Sequence, residues 1–411
     1  MSDQNTDSFL QANSLDKPSG DGEISTVKSL RELIDIVSGK SAAFELPAED
    51  AGLADNLQFP FFGLVGQPEM KLALVLALIN PAIGGVLLIG PRGTGKTTAA
   101  RSLVDLLPDV RRSVCYYGCL PEDIETGGID AVCPDCARKY GEGDPLARTE
   151  KAVMVELPLN ARLEDVVGGL DERAALHQRV RLKRGILAQA DQNLLYVDEV
   201  NLLSDEIIDA ILDSASQGKY SVRRGSVSAT FRSRFVLIGT MNPEEGSLRP
   251  QIMDRFGLRV LVRGLENREE RLLAYRRVNK YRNNPNRIVN DFKDQTFLAN
   301  QEIQYARNHL SEVILPDDVA FTGIELVNKL GIDSLRAEIT LFETARAYSL
   351  ADGRSRVEIN DLRAIAPMVL RLRRSEFMVK YISDRNNEDE KMLKTIDQVL
   401  GGENKVSKES E

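Results

Sequence analysis

Gly90-Pro91-Arg92-Gly93-Thr94-Gly95-Lys96-Thr97, read as GPRGTGKT, is the stretch that decides the fold. It satisfies G-x-x-x-x-G-K-[ST] in full. The apolar run Val86 to Ile89 precedes it and a helical run from Thr98 to Leu107 follows, which is the strand, loop and helix context the motif needs. Glycines let the backbone wrap a phosphate so that amide N–H groups and the positive end of a helix point at it. Lys96 is expected to reach the β and γ phosphates, and the Thr97 hydroxyl to bind Mg²⁺. The predicted nucleotide-binding set is Gly90, Pro91, Arg92, Gly93, Thr94, Gly95, Lys96, Thr97 and Thr98, with ATP and Mg²⁺ as the implied cofactors.

Working outward, Leu194-Leu195-Tyr196-Val197-Asp198-Glu199 is an apolar strand ending in two carboxylates. It reads as a Walker B element: Asp198 would hold Mg²⁺ through water, and Glu199 would polarise the attacking water. A strand simply ending in solvated acids is the alternative, which the upstream P-loop disfavours. A further strand from Phe235 to Met241 ends in Asn242-Pro243, and an amide there can orient the lytic water, although Asn-Pro also commonly starts a turn. In LRPQIMDRFGLRV, Arg255 is the candidate arginine finger, since a guanidinium best neutralises charge developing on the γ-phosphate. A surface ion pair with Asp254 or another acid is the competing reading. Arg336 opens a helix in the second domain, where a cation could reach the γ-phosphate from the lid side.

The pattern around these motifs is α/β. Apolar runs at Val86 to Ile89, Ala152 to Leu157, Leu194 to Val197, Phe235 to Ile238 and Leu258 to Val262 alternate with helical stretches and predict a parallel five-stranded sheet covered on both faces. Beyond Arg263, helical periodicity at 265–283, 290–313, 318–330, 334–351 and 358–373 predicts an all-helical second domain. The expected organisation is an acidic tail over 1–57 with an amphipathic segment at Val27 to Val37, an ATPase domain over 58–263, a helical linker and lid over 264–383, and a charged tail over 384–411.

A net charge of −9 and a pI near 5.2 argue against a nucleic-acid motor, which needs a basic surface; the short basic runs Arg179 to Arg184 and Arg371 to Arg374 read as solvated faces or subunit contacts. No span is expected, because the most apolar stretch, Leu72 to Ile89, is broken by Asn80, Pro81, Gly84 and Gly85. The acidic, polar start lacks the marks of a secretory or transit signal, leaving the cytoplasm as the expected compartment. The chain's 4 cysteines cluster as Cys115-x3-Cys119 and Cys133-x2-Cys136, within an insert over 115–136. They suit a tetrahedral Zn²⁺, with a redox-switchable dithiol and unliganded thiols as the alternatives. His177 and His309 lie far from any ligand cluster and read as ordinary surface or core residues.

Together, GPRGTGKT, LLYVDEVNLLSDEIID, IGTMNPEEGSLRPQIMDRFGLRV and SLRAEITLFETARAYSLADGR resemble the AAA+ ATPase (I) subunits of magnesium chelatase, from about Phe59 to Arg374. The resemblance implies a helix-2-insert AAA+ fold with the sheet in order 5-1-4-3-2 and a displaced helical lid. It implies a hexameric ring with ATP at subunit interfaces, which makes Arg255 a finger in trans and Arg336 a sensor 2 residue. Val65 and Gly66 in FFGLVGQ would lie near adenine. The implied partners are the D subunit and a porphyrin-binding H subunit, with this chain as motor for Mg²⁺ insertion into protoporphyrin IX. A related ATPase serving cobalt or nickel insertion, or maturing a metalloenzyme, is the alternative. Two hairpins depart from the family pattern. Leu182-Lys183-Arg184-Gly185-Ile186-Leu187-Ala188 stands where the family has FEPGLLA, and the hairpin from Tyr220 to Phe231 lacks the family's HPA; both are expected to face a partner or the pore.

Overall fold

The structure is a computed structural model describing residues 57–115, 117–170, 182–225, 227–374 and 392. The tail segment from Val27 to Val37 and His177 fall outside the described residues. Nine strands form among those described: β1 Val86–Ile89, β2 Val110–Ser113, β3 Ala147–Glu150, β4 Met154–Leu157, β5 Leu194–Val197, β6 Lys219–Arg224, β7 Val227–Arg232, β8 Val236–Met241 and β9 Leu258–Leu261. Five of them make the central sheet in order β4-β5-β8-β1-β9, every pair parallel. Numbered along the chain, that is the 5-1-4-3-2 order implied by the resemblance. β1, β5 and β8 are buried along their whole length, as near-continuous apolar runs must be when helices cover both faces of a parallel sheet.

Several boundaries differ from the sequence reading. The second core strand starts at Met154 rather than Ala152, and the fourth runs Val236–Met241, because Gly239 and Thr240 continue the extended backbone past the apolar run. The helix after the P-loop closes at Ser102 and gives way to a tighter turn over Val104–Leu106. The predicted continuous helix at 290–313 is broken: Pro285–Asp291 and Lys293–His309 flank Phe292, and Asn284 caps the first of them by accepting from the Arg287 N–H at 3.0 Å. The last predicted helix stops at Leu370, where Arg371 turns extended. Hairpin β6–β7 forms with Tyr220 opposite Phe231. Hairpin β2–β3 was not expected, since Val110–Ser113 carries two arginines and no apolar alternation.

Two cores hold the layers. One joins the helix Pro68–Ile79 and one face of the sheet to helices of the second domain, from Ile303 to Leu370; the other packs the helix Asp205–Gln217 and Phe256 on the opposite face. Asn80 reinforces the first joint by donating to the Glu343 carboxylate at 2.7 Å. No helix among the described residues is long and apolar enough to cross a membrane.

A polar joint sits beneath. The side chains of Arg259 on β9 and of Arg373 are fully buried. Arg373 bonds the Asp254 carboxylate at 2.6 Å and the Val369 carbonyl at 2.8 Å. Arg259 donates to the carbonyls of Met253 and Arg371, both at 2.9 Å. Burial, and then the Arg373 charge beside it, pulls the Arg259 pKa down to about 9, which leaves it cationic at neutral pH. Breaking a buried pair from one side strands the other charge, so Arg373→Ala should cost about 3–5 kcal/mol and lower the thermal midpoint sharply. An unchanged melting curve would mean the joint is not structural.

Candidate nucleotide site

The P-loop connects β1 to the helix Lys96–Ser102, and its shape depends on Gly93 and Gly95, whose φ of 78° and 86° fall in the left-handed region that side chains disfavour. Lys96 Nζ donates to the carbonyls of Gly90 at 2.7 Å and Pro91 at 2.8 Å. Burial lowers the Lys96 pKa, and the neighbouring carboxylates of Asp198, Glu199 and Glu245 oppose that shift. A cation held beside three acids at a phosphate-sized loop can meet a polyphosphate without being lost to solvent.

β8 lies between β1 and β5, so the chain ends that follow these three strands converge at one edge of the sheet. Thr97 and Asp198, the two predicted Mg²⁺ ligands, are linked through Tyr196: its hydroxyl lies 2.8 Å from Thr97 Oγ1 and donates to Asp198 Oδ1 at 3.1 Å. Burial raises the Tyr196 pKa to about 12, which keeps the phenol protonated for that task. Thr240 on β8 donates to the same Asp198 oxygen and accepts from the Glu199 N–H at 3.0 Å. The latter bond fixes Glu199 in a left-handed conformation, φ 46°, rare for a side-chain-bearing residue. A hydroxyl and a carboxylate joined by one phenol form the hard-oxygen donor pair that Mg²⁺ takes together with phosphate oxygens.

Asn242 follows β8, is buried, and accepts from the Glu244 N–H at 3.3 Å through its side-chain oxygen. The turn-starting role that Asn-Pro suggests is therefore present at the very position predicted to orient water. Arg92 is exposed and pairs with Glu199 at 3.1 Å and with Glu245. The sequence reading placed Arg92 in the phosphate loop without seeing that it brackets Glu199.

A cavity of 530 Å³ opens beside the loop, lined by Val65, Gly93, Thr94, Gly95 and Thr98 among others. Gly66 is not among its lining residues, but Leu265, Arg271, Ala274 and Val278 are. Those four went unnoticed in the sequence, although Arg271, Ala274 and Val278 recur at helical spacing on Arg268–Asn283, a helix with no buried residue that a stripe could have marked.

Arg255 and Arg336 stand elsewhere. Both line a second cleft of 940 Å³ with Arg249, Asp254, Asp333 and Arg373, and neither lines the P-loop cavity. Arg255 pairs with Asp209 at 2.9 Å and Asp213 at 3.1 Å, so the competing ion-pair reading is realised with acids other than Asp254. Arg336, expected on the lid side of the γ-phosphate, does not line the P-loop cavity of its own chain. His309 is half-buried and stacks on Tyr305 at 4.0 Å. Of the departing hairpins, Leu182 forms an isolated bridge with Leu170 and Ile186–Gln189 is helical, whereas 171–181 lie outside the described residues. The basic run from Arg179 lies partly there too.

The four cysteines, which line neither cavity, come together in the insert between β2 and β3, with their sulfurs within 4.8 Å of one another.

Comparison with known proteins supports the fold. A family described as AAA domain matches residues 84–244, and one described as AAA lid domain matches residues 320–394. Among curated proteins, the magnesium-chelatase subunit ChlI homolog of Methanocaldococcus jannaschii is 39% identical, over 80% of this chain and 93% of that protein. The magnesium-chelatase 38 kDa subunit of Acidiphilium rubrum is 38% identical, over 77% of this chain and 90% of that one. The chloroplastic magnesium-chelatase subunit ChlI of Oryza sativa subsp. indica is 38% identical, over 81% and 80%.

Proposed function

Because the chain belongs to the ChlI family of magnesium-chelatase AAA+ subunits, we propose that it is the ATP-hydrolysing motor of a magnesium chelatase, driving Mg²⁺ into protoporphyrin IX. Lys96 contacts the β and γ phosphates, and Asn242 and Glu199 orient and polarise the attacking water. Thr97 and Asp198 would hold the nucleotide's Mg²⁺, whose charge offsets that of the phosphate oxygens. Val65 and the cavity wall opposite it receive the adenine.

The observation that carries this reading is the separation of two half-sites. Arg263 and Arg271 line the P-loop cavity, but Arg255 and Arg336 do not, and they share a different cleft of the same chain. Charge developing on the γ-phosphate would be met by the arginines of a neighbouring copy, which favours a closed ring, hexameric in the arrangement proposed. Ring shape would then differ between ATP and ADP because the two nucleotides contact the interface differently, and that difference would be passed to a D subunit and to the H subunit that binds porphyrin.

The test is reconstitution of the purified chain with D and H subunits, Mg²⁺ and protoporphyrin IX, followed by the fluorescence of the product. ATP-dependent appearance of magnesium protoporphyrin is expected. ATP turnover without insertion, together with insertion of cobalt or nickel into another tetrapyrrole, would reassign the metal and leave the motor intact.

A further inference from the structure

We propose that Cys115, Cys119, Cys133 and Cys136 bind one Zn²⁺ as a closed tetrathiolate centre that fixes the β2–β3 insert against hairpin β6–β7. A zinc ion with Zn–S bonds of about 2.3 Å places its sulfurs roughly 3.8 Å apart along the edges of a tetrahedron. Cys115 Sγ lies 3.8 Å from Cys119 Sγ and 3.5 Å from Cys133 Sγ, and all four sulfurs fall within 4.8 Å of one another. The backbone frames each pair. Cys115 and Cys119 flank a turn closed by Gly118 at φ 76°, and the Tyr117 N–H donates to Cys115 Sγ at 3.2 Å. Cys133 is the N-cap of the helix Pro134–Glu142, Cys136 sits in its first turn, and the Cys133 N–H donates to Cys119 Sγ at 3.4 Å.

The insert also needs a staple. Its own core consists of Cys119, Val132, Cys136 and Leu146, with Ile124 and Ala137 packed alongside. So few apolar groups cannot offset the ordering of the whole segment, and small units of this kind are held by metal or disulfide. An all-thiolate donor set selects a borderline-soft ion over Mg²⁺ or Ca²⁺. Four thiolates and one Zn²⁺ leave two negative charges, and a guanidinium stands by: that of Arg184 rests against Gly118. Arg232 pairs with Asp123 of the insert. Arg232 is the last residue of β7, a few residues before β8, which bears Thr240 and leads into Asn242. Zinc would thus brace the insert against the stem of the strand that positions Glu199.

The full chain, purified without chelator, should contain about one zinc per chain by elemental mass spectrometry. The double variant Cys133→Ser/Cys136→Ser should hold at least about tenfold less, while still binding a fluorescent ATP analogue, which separates metal loss from misfolding. Replacement of zinc by Co²⁺ should give thiolate charge-transfer absorption with tetrahedral d–d bands. Four freely titrating thiols without metal, two disulfides by intact mass, or one iron per chain would each overturn the proposal. Zinc content does not depend on the motor reading, since Lys96→Ala should retain the metal in full.

Discussion

Lys96→Ala is expected to lower Mg²⁺-dependent ATP hydrolysis by at least about 10²–10³-fold, the loss seen when one preorganised donor to a developing charge is removed. The geometry makes this side chain hard to replace. Its ammonium is already partly desolvated and faces Asp198, Glu199 and Glu245, so alanine would leave three carboxylates around the space that receives a polyanion. Nucleotide affinity should therefore fall along with turnover. Phosphate release and binding of a fluorescent ATP analogue measure the two effects separately. Turnover equal to the parent chain's would remove the P-loop from the mechanism.

Arg255→Ala should match or exceed that loss in the assembled protein, about 10³–10⁵-fold for an arginine finger, with nucleotide binding preserved. Its partly exposed pairs with Asp209 and Asp213 are worth no more than about 1 kcal/mol, so the fold should survive. The informative experiment mixes the two inactive proteins. If Arg255 acts on a neighbour's nucleotide, an interface that joins the intact P-loop of an Arg255→Ala subunit to the intact arginine of a Lys96→Ala subunit is complete, and mixing restores part of the activity. An arginine serving its own chain's nucleotide gives no rescue at any ratio.

The parts of the site that were legible in the sequence are those whose chemistry is contiguous. GPRGTGKT and the Asp198-Glu199 end of its strand carry their roles in order along the chain, so flanking apolar runs were enough to place them. Of the five core strands, β1 and β5 were legible as short, wholly apolar runs, and β4, β8 and β9 as apolar runs interrupted only by Glu156, by Gly239 and Thr240, and by Arg259. Tyr196 and Thr240 escaped, yet each lies two residues before a residue that was named, Asp198 and Asn242, and so on the same side of its strand. That period could have found them. Contacts between distant segments could not be read in advance: the Arg92 pair with Glu199, the shared cleft of Arg255 and Arg336, and the approach of two cysteine pairs from opposite ends of an insert all depend on tertiary folding. The β2–β3 hairpin is of the same kind, its strands held by pairing and by ions such as Arg112 with Glu150 at 3.2 Å.

The buried joint of Arg259, Arg373 and Asp254 gives the molecule two different responses to ionic strength. Mobile ions screen exposed charges over about 8 Å at physiological salt and have little access to buried ones. The two guanidinium groups of the joint that fastens the end of the lid to the helix Pro250–Arg255 lie out of their reach, whereas Asp254 is partly open to them, as are Arg249 with Asp205 at 2.7 Å and Arg255 with Asp209. Concentrated salt would accordingly weaken the exposed pairs first, while the bonds from Arg259 and Arg373 to backbone carbonyls kept the lid in place.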